Sequence, residues 1–138
     1  MADRASGQPA AAGGPGRLLV AVYGVFALAA GARAVVQLST RFAEAPVAYL
    51  LSALAAAVYV VATVALARGG RRTALVAITI ELVGVLVVGT LSLLEPAAFP
   101  DETVWSAYGR GYLFIPLVLP VAGLLWLRRQ VGDRSSRR

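Results

Sequence analysis

Four long apolar runs occupy most of this 138-residue chain. Crossing the hydrocarbon core of a bilayer takes about 20 apolar residues in a helix. Lipid satisfies no backbone hydrogen bond, so segments of this kind span it as α-helices. The sequence therefore predicts an all-α protein, a transmembrane antiparallel four-helix bundle. Its predicted spans cover residues 18–38, 47–67, 73–94 and 111–127.

Short segments flank the predicted membrane domain, residues 17–128. Residues 1–16 are mostly Gly, Ala and Pro, a composition that predicts a disordered cytoplasmic segment. Residues 129–138 form a basic cytoplasmic tail. An alternative interpretation takes the first span as a cleaved secretory signal, because a basic start and an apolar stretch precede the small residues around Arg33.

Composition excludes several functional classes. The chain is 59% hydrophobic and has neither Cys nor His, which removes thiol redox chemistry, thiolate or imidazole metal ligands, and Cys–His or Ser–His nucleophile pairs. The net charge of +6 comes from arginines that flank the apolar runs and do not form a face for nucleic acid. We therefore expect no enzymatic activity, cofactor, metal or nucleic-acid partner.

The arginines are distributed unevenly between the two sides of the predicted bundle. The two termini and the link between the second and third spans carry most of them, whereas the other two links carry most of the acids. By the positive-inside rule, both termini are cytoplasmic in a protein of the cytoplasmic membrane. Arginines at that face also attract anionic lipid headgroups. The acids on the opposite side are Glu44, Glu95, Asp101 and Glu102.

Glu81 is a single carboxylate near the middle of the third apolar run. Small side chains at helical spacing mark the faces on which membrane helices touch, and Glu81 shares such a face with Ala74, Ala77, Gly84 and Val88. Facing lipid would cost several kcal/mol. The pattern therefore predicts that Glu81 points between helices and is protonated or paired at neutral pH.

Arg33 begins a second polar line on the first span, together with Gln37, Thr40 and Glu44. Two arrangements of Arg33 are compatible with helix geometry. In one, a direct or water-bridged pair joins Arg33 to Glu81. In the other, Arg33 bonds within the outer polar cluster and Glu81 is neutral. The sequence leaves both open.

The last outer link predicts a short interfacial helix that Asp101 caps and Gly109 ends. Trp105 and Tyr108 share one of its faces, so they are expected to anchor the helix at the lipid headgroups. Alternatively, this helix is a lid over a pocket lined by Gln37, Arg41 and Glu44. Two prolines follow within the fourth span and are expected to free the backbone carbonyls four residues before them. They are Pro116 and Pro120.

Much of the chain resembles a group of small integral membrane proteins encoded in actinobacterial genomes. The resemblance covers most of residues 18–127 and includes the strings GARAVVQLSTRF, IELVGVLVVGTLSL and FPDETVWSAYGRGYLFIPLVLPV. It implies four membrane spans and adds no catalytic residue. The resemblance implies no specific activity.

Two functions are therefore expected from the sequence. The first is a non-enzymatic accessory or interaction bundle that binds a larger membrane protein, a cell-envelope component or a second copy of itself. The alternative is a small proton- or cation-coupled transporter or channel in which Glu81 carries or balances the charge. They differ in whether Glu81 must titrate and reach water.

Overall fold

The computed structural model describes residues 14–136, with side chains through Gln130. Within this range the chain is helical and contains no strand. Three helices are long and apolar enough to cross a membrane, and a fourth span is added if α4 is joined to the sharply bent segment before it. The helices are α1 (Gly14–Thr40), α2 (Pro46–Arg68), α3 (Arg71–Leu94) and α4 (Ile115–Ser136).

The terminal segments differ in part from the sequence prediction. Residues 14–16 belong to helix α1, so the end of the predicted disordered segment 1–16 is helical, and residues 1–13 lie outside the described residues. Helix α4 continues to Ser136, so most of the predicted basic tail extends the last helix.

The helices pack in chain order. Helix α1 packs extensively on α2, α2 on α3, and α3 on α4, whereas α1 and α4 have few contacts. A tight turn joins α2 to α3: Gly69 adopts the left-handed conformation at φ 72°, and Gly70 N–H donates to the Ala65 carbonyl at 2.8 Å. Glycine takes this conformation without steric cost.

Large apolar side chains cover the outside of the helices. Leu28 on α1 is 78% exposed and Leu94 on α3 is 71% exposed, and many Val and Leu residues on the same helices are half exposed or more. Apolar surface of this extent is unfavourable in water and matches the acyl chains of a bilayer. The exterior is therefore consistent with contact with lipid.

The loop between α3 and α4, residues 95–114, departs most from expectation. No regular helix begins at Asp101; a 3₁₀ segment, Ser106–Tyr112, contains Ala107 at φ 49° and Tyr108 at φ 61°. Left-handed non-glycine residues are uncommon, and here they bend the chain so that the 3₁₀ segment and α4 differ in direction by 99°. The predicted interfacial helix is thus replaced by an irregular segment that contacts α3.

The start of α4 changes the role of the two prolines. Because the helix begins at Ile115, Pro116 lies in its first turn and removes no hydrogen bond within the helix. The prediction that it frees the Tyr112 carbonyl is wrong. Pro120 lies inside α4 and leaves the Pro116 carbonyl without its helical donor.

Candidate functional site, a buried polar cluster

Glu81 lies at the centre of the structure and is completely buried. Tyr23 on α1 donates its hydroxyl hydrogen to Glu81 Oε1 at 2.5 Å. Among the described residues, no group forms a hydrogen bond with the other carboxylate oxygen, Oε2. An ionised carboxylate with one free oxygen in an apolar interior is costly, so this environment favours the neutral acid.

Small residues on α3 explain why Glu81 points inward. Ala74, Ala77 and Val88 are buried on the same face of the helix as Glu81. Their short side chains let neighbouring helices approach, and close approach excludes lipid from the carboxyl group. The α3 face that was identified from sequence spacing is therefore buried, and the Glu81 carboxyl group lies within it.

Trp105 inserts from the 95–114 loop into the helices and is only 1% exposed. Its indole Nε1–H donates to the Tyr59 hydroxyl at 3.0 Å. Gly84 makes room for the indole: a Cβ atom added there would lie 2.5 Å from Trp105 Cζ3. Since Gly84 is about 15 Å along α3 from the helix end at Leu94, the loop penetrates deeply. The prediction that Trp105 anchors the loop at the lipid headgroups is therefore wrong.

Aromatic rings connect the two polar contacts. Tyr59 packs against Tyr23 with ring centroids 6.2 Å apart and against the Trp105 indole at 6.4 Å. Phe26 lies 5.5 Å from the Tyr59 ring. Buried tyrosine and tryptophan residues combine a large apolar area with one polar group that needs a partner. We call Tyr23, Tyr59, Glu81 and Trp105 the buried cluster.

Arg33 does not pair with Glu81. Its guanidinium donates to the Tyr112 hydroxyl and to the Glu102 backbone carbonyl, both at 2.8 Å. These bonds tie α1 to the two ends of the inserted part of the loop. Of the two arrangements open from the sequence, the structure has Arg33 bonded on the loop side and Glu81 bonded to Tyr23.

Further contacts hold the loop on the helices. The Tyr49 hydroxyl donates to an Asp101 carboxylate oxygen at 2.8 Å, and the Tyr108 and Thr90 hydroxyls share a hydrogen bond of 2.8 Å. Tyr108 is partly buried and packs where Gly89 has no side chain. Asp101 therefore holds the loop on α2, and Tyr108 holds it on α3. These two residues bind different helices and do not form one cluster.

Of the remaining predicted residues, Arg41 and Glu44 lie near the Tyr49 hydroxyl that binds Asp101 of the loop. Gln37 is buried, and its Oε1 has no hydrogen-bond partner among the described residues. Arg41 and Glu44 are exposed beside the short Phe42–Glu44 turn. Trp105 occupies the interior near Tyr59, so it does not lie over these three residues as the predicted lid would.

Sequence reasoning missed three tyrosines that complete the polar contacts, Tyr23, Tyr59 and Tyr112. The available signal was their position: Tyr23 and Tyr59 lie well inside predicted spans, whereas membrane tyrosines concentrate at the interface. A tyrosine at that depth requires a hydrogen-bond partner. Taken together, the cluster can hold one proton in a dry, aromatic interior.

No protein-family model matches the chain, and no curated protein or solved structure is significantly similar to it.

Proposed function

We propose that the chain is a non-enzymatic accessory or interaction protein of the cytoplasmic membrane. The observation that carries this proposal is the filled interior. Trp105 is inserted beside Gly84, and the Glu81 carboxyl is fully buried against Tyr23. A carrier needs its carboxyl to meet water on each side in turn, whereas these contacts stabilise one arrangement. Function then resides on the outer surfaces of the helices.

The accessory role predicts a stable partner in the native membrane. Tagged protein is extracted in polymer discs without detergent, and co-purifying proteins and lipids are identified by mass spectrometry. A partner recovered in constant ratio to the tagged chain supports the proposal. Recovery of the chain with bulk lipid only, combined with measurable transport, contradicts it.

The proposed arrangement is an antiparallel four-helix bundle with both termini in the cytoplasm. Its support is the distribution of charge: Arg17, Arg68 and Arg72 lie in the first or last turns of their helices, whereas Glu95 and Glu102 belong to the 95–114 loop. The cytoplasmic leaflet retains arginine-rich segments. Residues 95–114 then face the outside, and Trp105 inserts between the helices from that side.

The absence of native cysteine allows a direct test of this topology. Ala97→Cys and Arg72→Cys both introduce thiols at exposed positions, in the 95–114 loop and at the start of α3. An impermeant maleimide should label Ala97→Cys in intact cells and Arg72→Cys only after the cells are opened. The reverse labelling pattern would show that the protein has the opposite orientation in the membrane.

A second candidate function is proton- or cation-coupled transport. One observation favours it: Glu81 Oε2 has no hydrogen-bond partner among the described residues, so one oxygen of a buried acid is available to a transported proton or cation. Intramembrane carboxylates often serve such pathways. This role requires Trp105 to leave its site during the cycle.

Glu81→Gln separates the two functions because it keeps the side-chain shape and removes the titrating group. Under the accessory role, we expect the variant to insert, fold and bind partners as the wild type does, since the Gln carbonyl still accepts the Tyr23 hydrogen bond. Purified wild-type protein in liposomes should show no proton flux above that of empty liposomes. Flux in the wild type that the variant lacks would establish transport instead.

A further inference from the structure

An open groove separates α1 from α4. The two helices have few contacts, and the space between them measures about 1090 Å³, slightly above the roughly 300–1,000 Å³ of typical ligand pockets. Its walls are made of branched apolar side chains, many of them exposed. The main wall residues are Leu18, Leu19 and Val22 of α1, and Val118, Leu119 and Leu125 of α4.

The dimensions of the groove match one lipid leaflet. Its lining runs along α4 from Ile115 to Gln130, about 22 Å at 1.5 Å per residue, and along α1 from Pro15 to Val22, about 10 Å. Half of a hydrocarbon core is about 15 Å. In a bilayer this apolar space is filled, and an acyl chain of one leaflet has the required length.

Charge distinguishes the two ends of the groove. Arg129 is exposed at one end, and it is the only charged residue among the described residues of the lining. Arg17 and Arg128 are exposed near the same end. No Asp or Glu occurs in residues 14–22 of α1 or 122–130 of α4, and Asp133 follows about one helical turn after Arg129. A negative headgroup at this end would gain about 1 kcal/mol from each nearby arginine.

The groove wall is less suited to another helix. Close packing of membrane helices uses Gly, Ala, Ser and Thr to bring backbones together, whereas Leu, Val and Ile dominate this wall. We infer that the α1–α4 groove binds an anionic phospholipid, with an acyl chain between Leu19 and Leu119 and the phosphate at Arg129. This inference rests on membrane embedding and is independent of the accessory role.

Trp126 reports on occupancy because it is partly buried and lines the groove. The full-length protein is reconstituted in phosphatidylcholine vesicles containing increasing fractions of brominated phosphatidylglycerol or brominated phosphatidylcholine. Bromine quenches an indole that it contacts. The chain has two tryptophans, so the signal of Trp126→Phe, which contains Trp105 alone, is subtracted.

We expect half-maximal quenching of Trp126 at a several-fold lower fraction of brominated phosphatidylglycerol than of brominated phosphatidylcholine. Arg129→Gln should abolish this preference, whereas Arg128→Gln, a neighbouring exposed arginine outside the lining, should largely retain it. Ala122→Phe, which narrows the groove, should weaken quenching by both lipids.

Equal quenching by the two lipids would overturn the inference, because it indicates boundary lipid without selectivity. Loss of the preference in Arg128→Gln to the same extent as in Arg129→Gln would also overturn it, since the general charge of that end would then be sufficient. Little quenching by either lipid, together with cross-linking between copies through α4, would assign the groove to a second copy of the chain. None of these results depends on whether a protein partner is found.

Discussion

Trp105→Ala is expected to lower the free energy of unfolding by about 3–5 kcal/mol, the usual range for truncating a large buried aromatic residue. The indole is fully enclosed, donates a hydrogen bond to the Tyr59 hydroxyl and packs on the Tyr59 ring. Its removal leaves a cavity beside Gly84 and an unpaired phenol. Unfolding by SDS titration in mixed micelles, followed by circular dichroism, measures the loss.

Two variants define the origin of that loss. Trp105→Phe keeps most of the ring and loses the hydrogen bond to Tyr59, so it should cost about 1 kcal/mol, in the range of single hydrogen bonds within membranes. Trp126→Phe is the matched control in the open groove and should change stability little. If Trp105→Ala were as stable as the wild type, Trp105 would not be packed among the helices.

Gly84→Leu is expected to expel the Trp105 indole from the helices. A Cβ atom at this position would already lie 2.5 Å from the ring, closer than any relaxed contact, and a leucine adds three more carbons. Overpacking a dense core costs about 1–3 kcal/mol or more, so the loop should leave before the helices separate. A red shift in Trp105 fluorescence, measured in a Trp126→Phe background, reports its exit.

Gly31→Leu is the control for the glycine substitution itself. A Cβ atom at Gly31 meets nothing within 4 Å, and leucine has a higher helix propensity than glycine, so the variant should be at least as stable as the wild type. In Gly84→Leu/Trp105→Ala, the leucine enters the space of the lost indole. The double variant should therefore lose less unfolding free energy than the sum of the losses in the two single variants. Strict additivity of the two losses would show that the two sites do not touch.

Hydropathy predicted the three long helices because lipid imposes a single backbone solution on an apolar run of that length. The predicted spans 18–38, 47–67 and 73–94 lie within α1, α2 and α3 and miss only one to four residues at some ends. The missed residues at the starts are 14–17 of α1, Pro46 of α2, and Arg71 and Arg72 of α3. Capping and interfacial turns decide such boundaries, and hydropathy does not record them.

The inward position of Glu81 followed from helical spacing, but its partner did not. Tyr23 is 58 residues away in the chain, and helix periodicity carries no information on which helices meet or at what depth. Arg33 was an attractive partner because of its charge. Its guanidinium instead found the Tyr112 hydroxyl and the Glu102 carbonyl, neither of which a search for opposite charges considers.

The loop was the least predictable part. Its course depends on left-handed conformations at Ala107, Tyr108, Leu113 and Phe114, which those residue types do not favour, so tertiary contacts must impose them. The general preference of tryptophan for the interface gave the wrong depth for Trp105. Gly84 held the relevant signal, but small residues in a span were interpreted as helix contacts, although a loop can use the same space.

The inserted loop also sets an order of events during synthesis. Trp105 follows Leu94, the last residue of α3, in the chain, so it emerges from the ribosome after α1 to α3. Until the loop arrives, the Tyr59 hydroxyl lacks the Trp105 donor and the space beside Gly84 lacks its ring. An assembly of the first three helices alone therefore lacks these contacts, and they form only when the segment that carries Trp105 joins it.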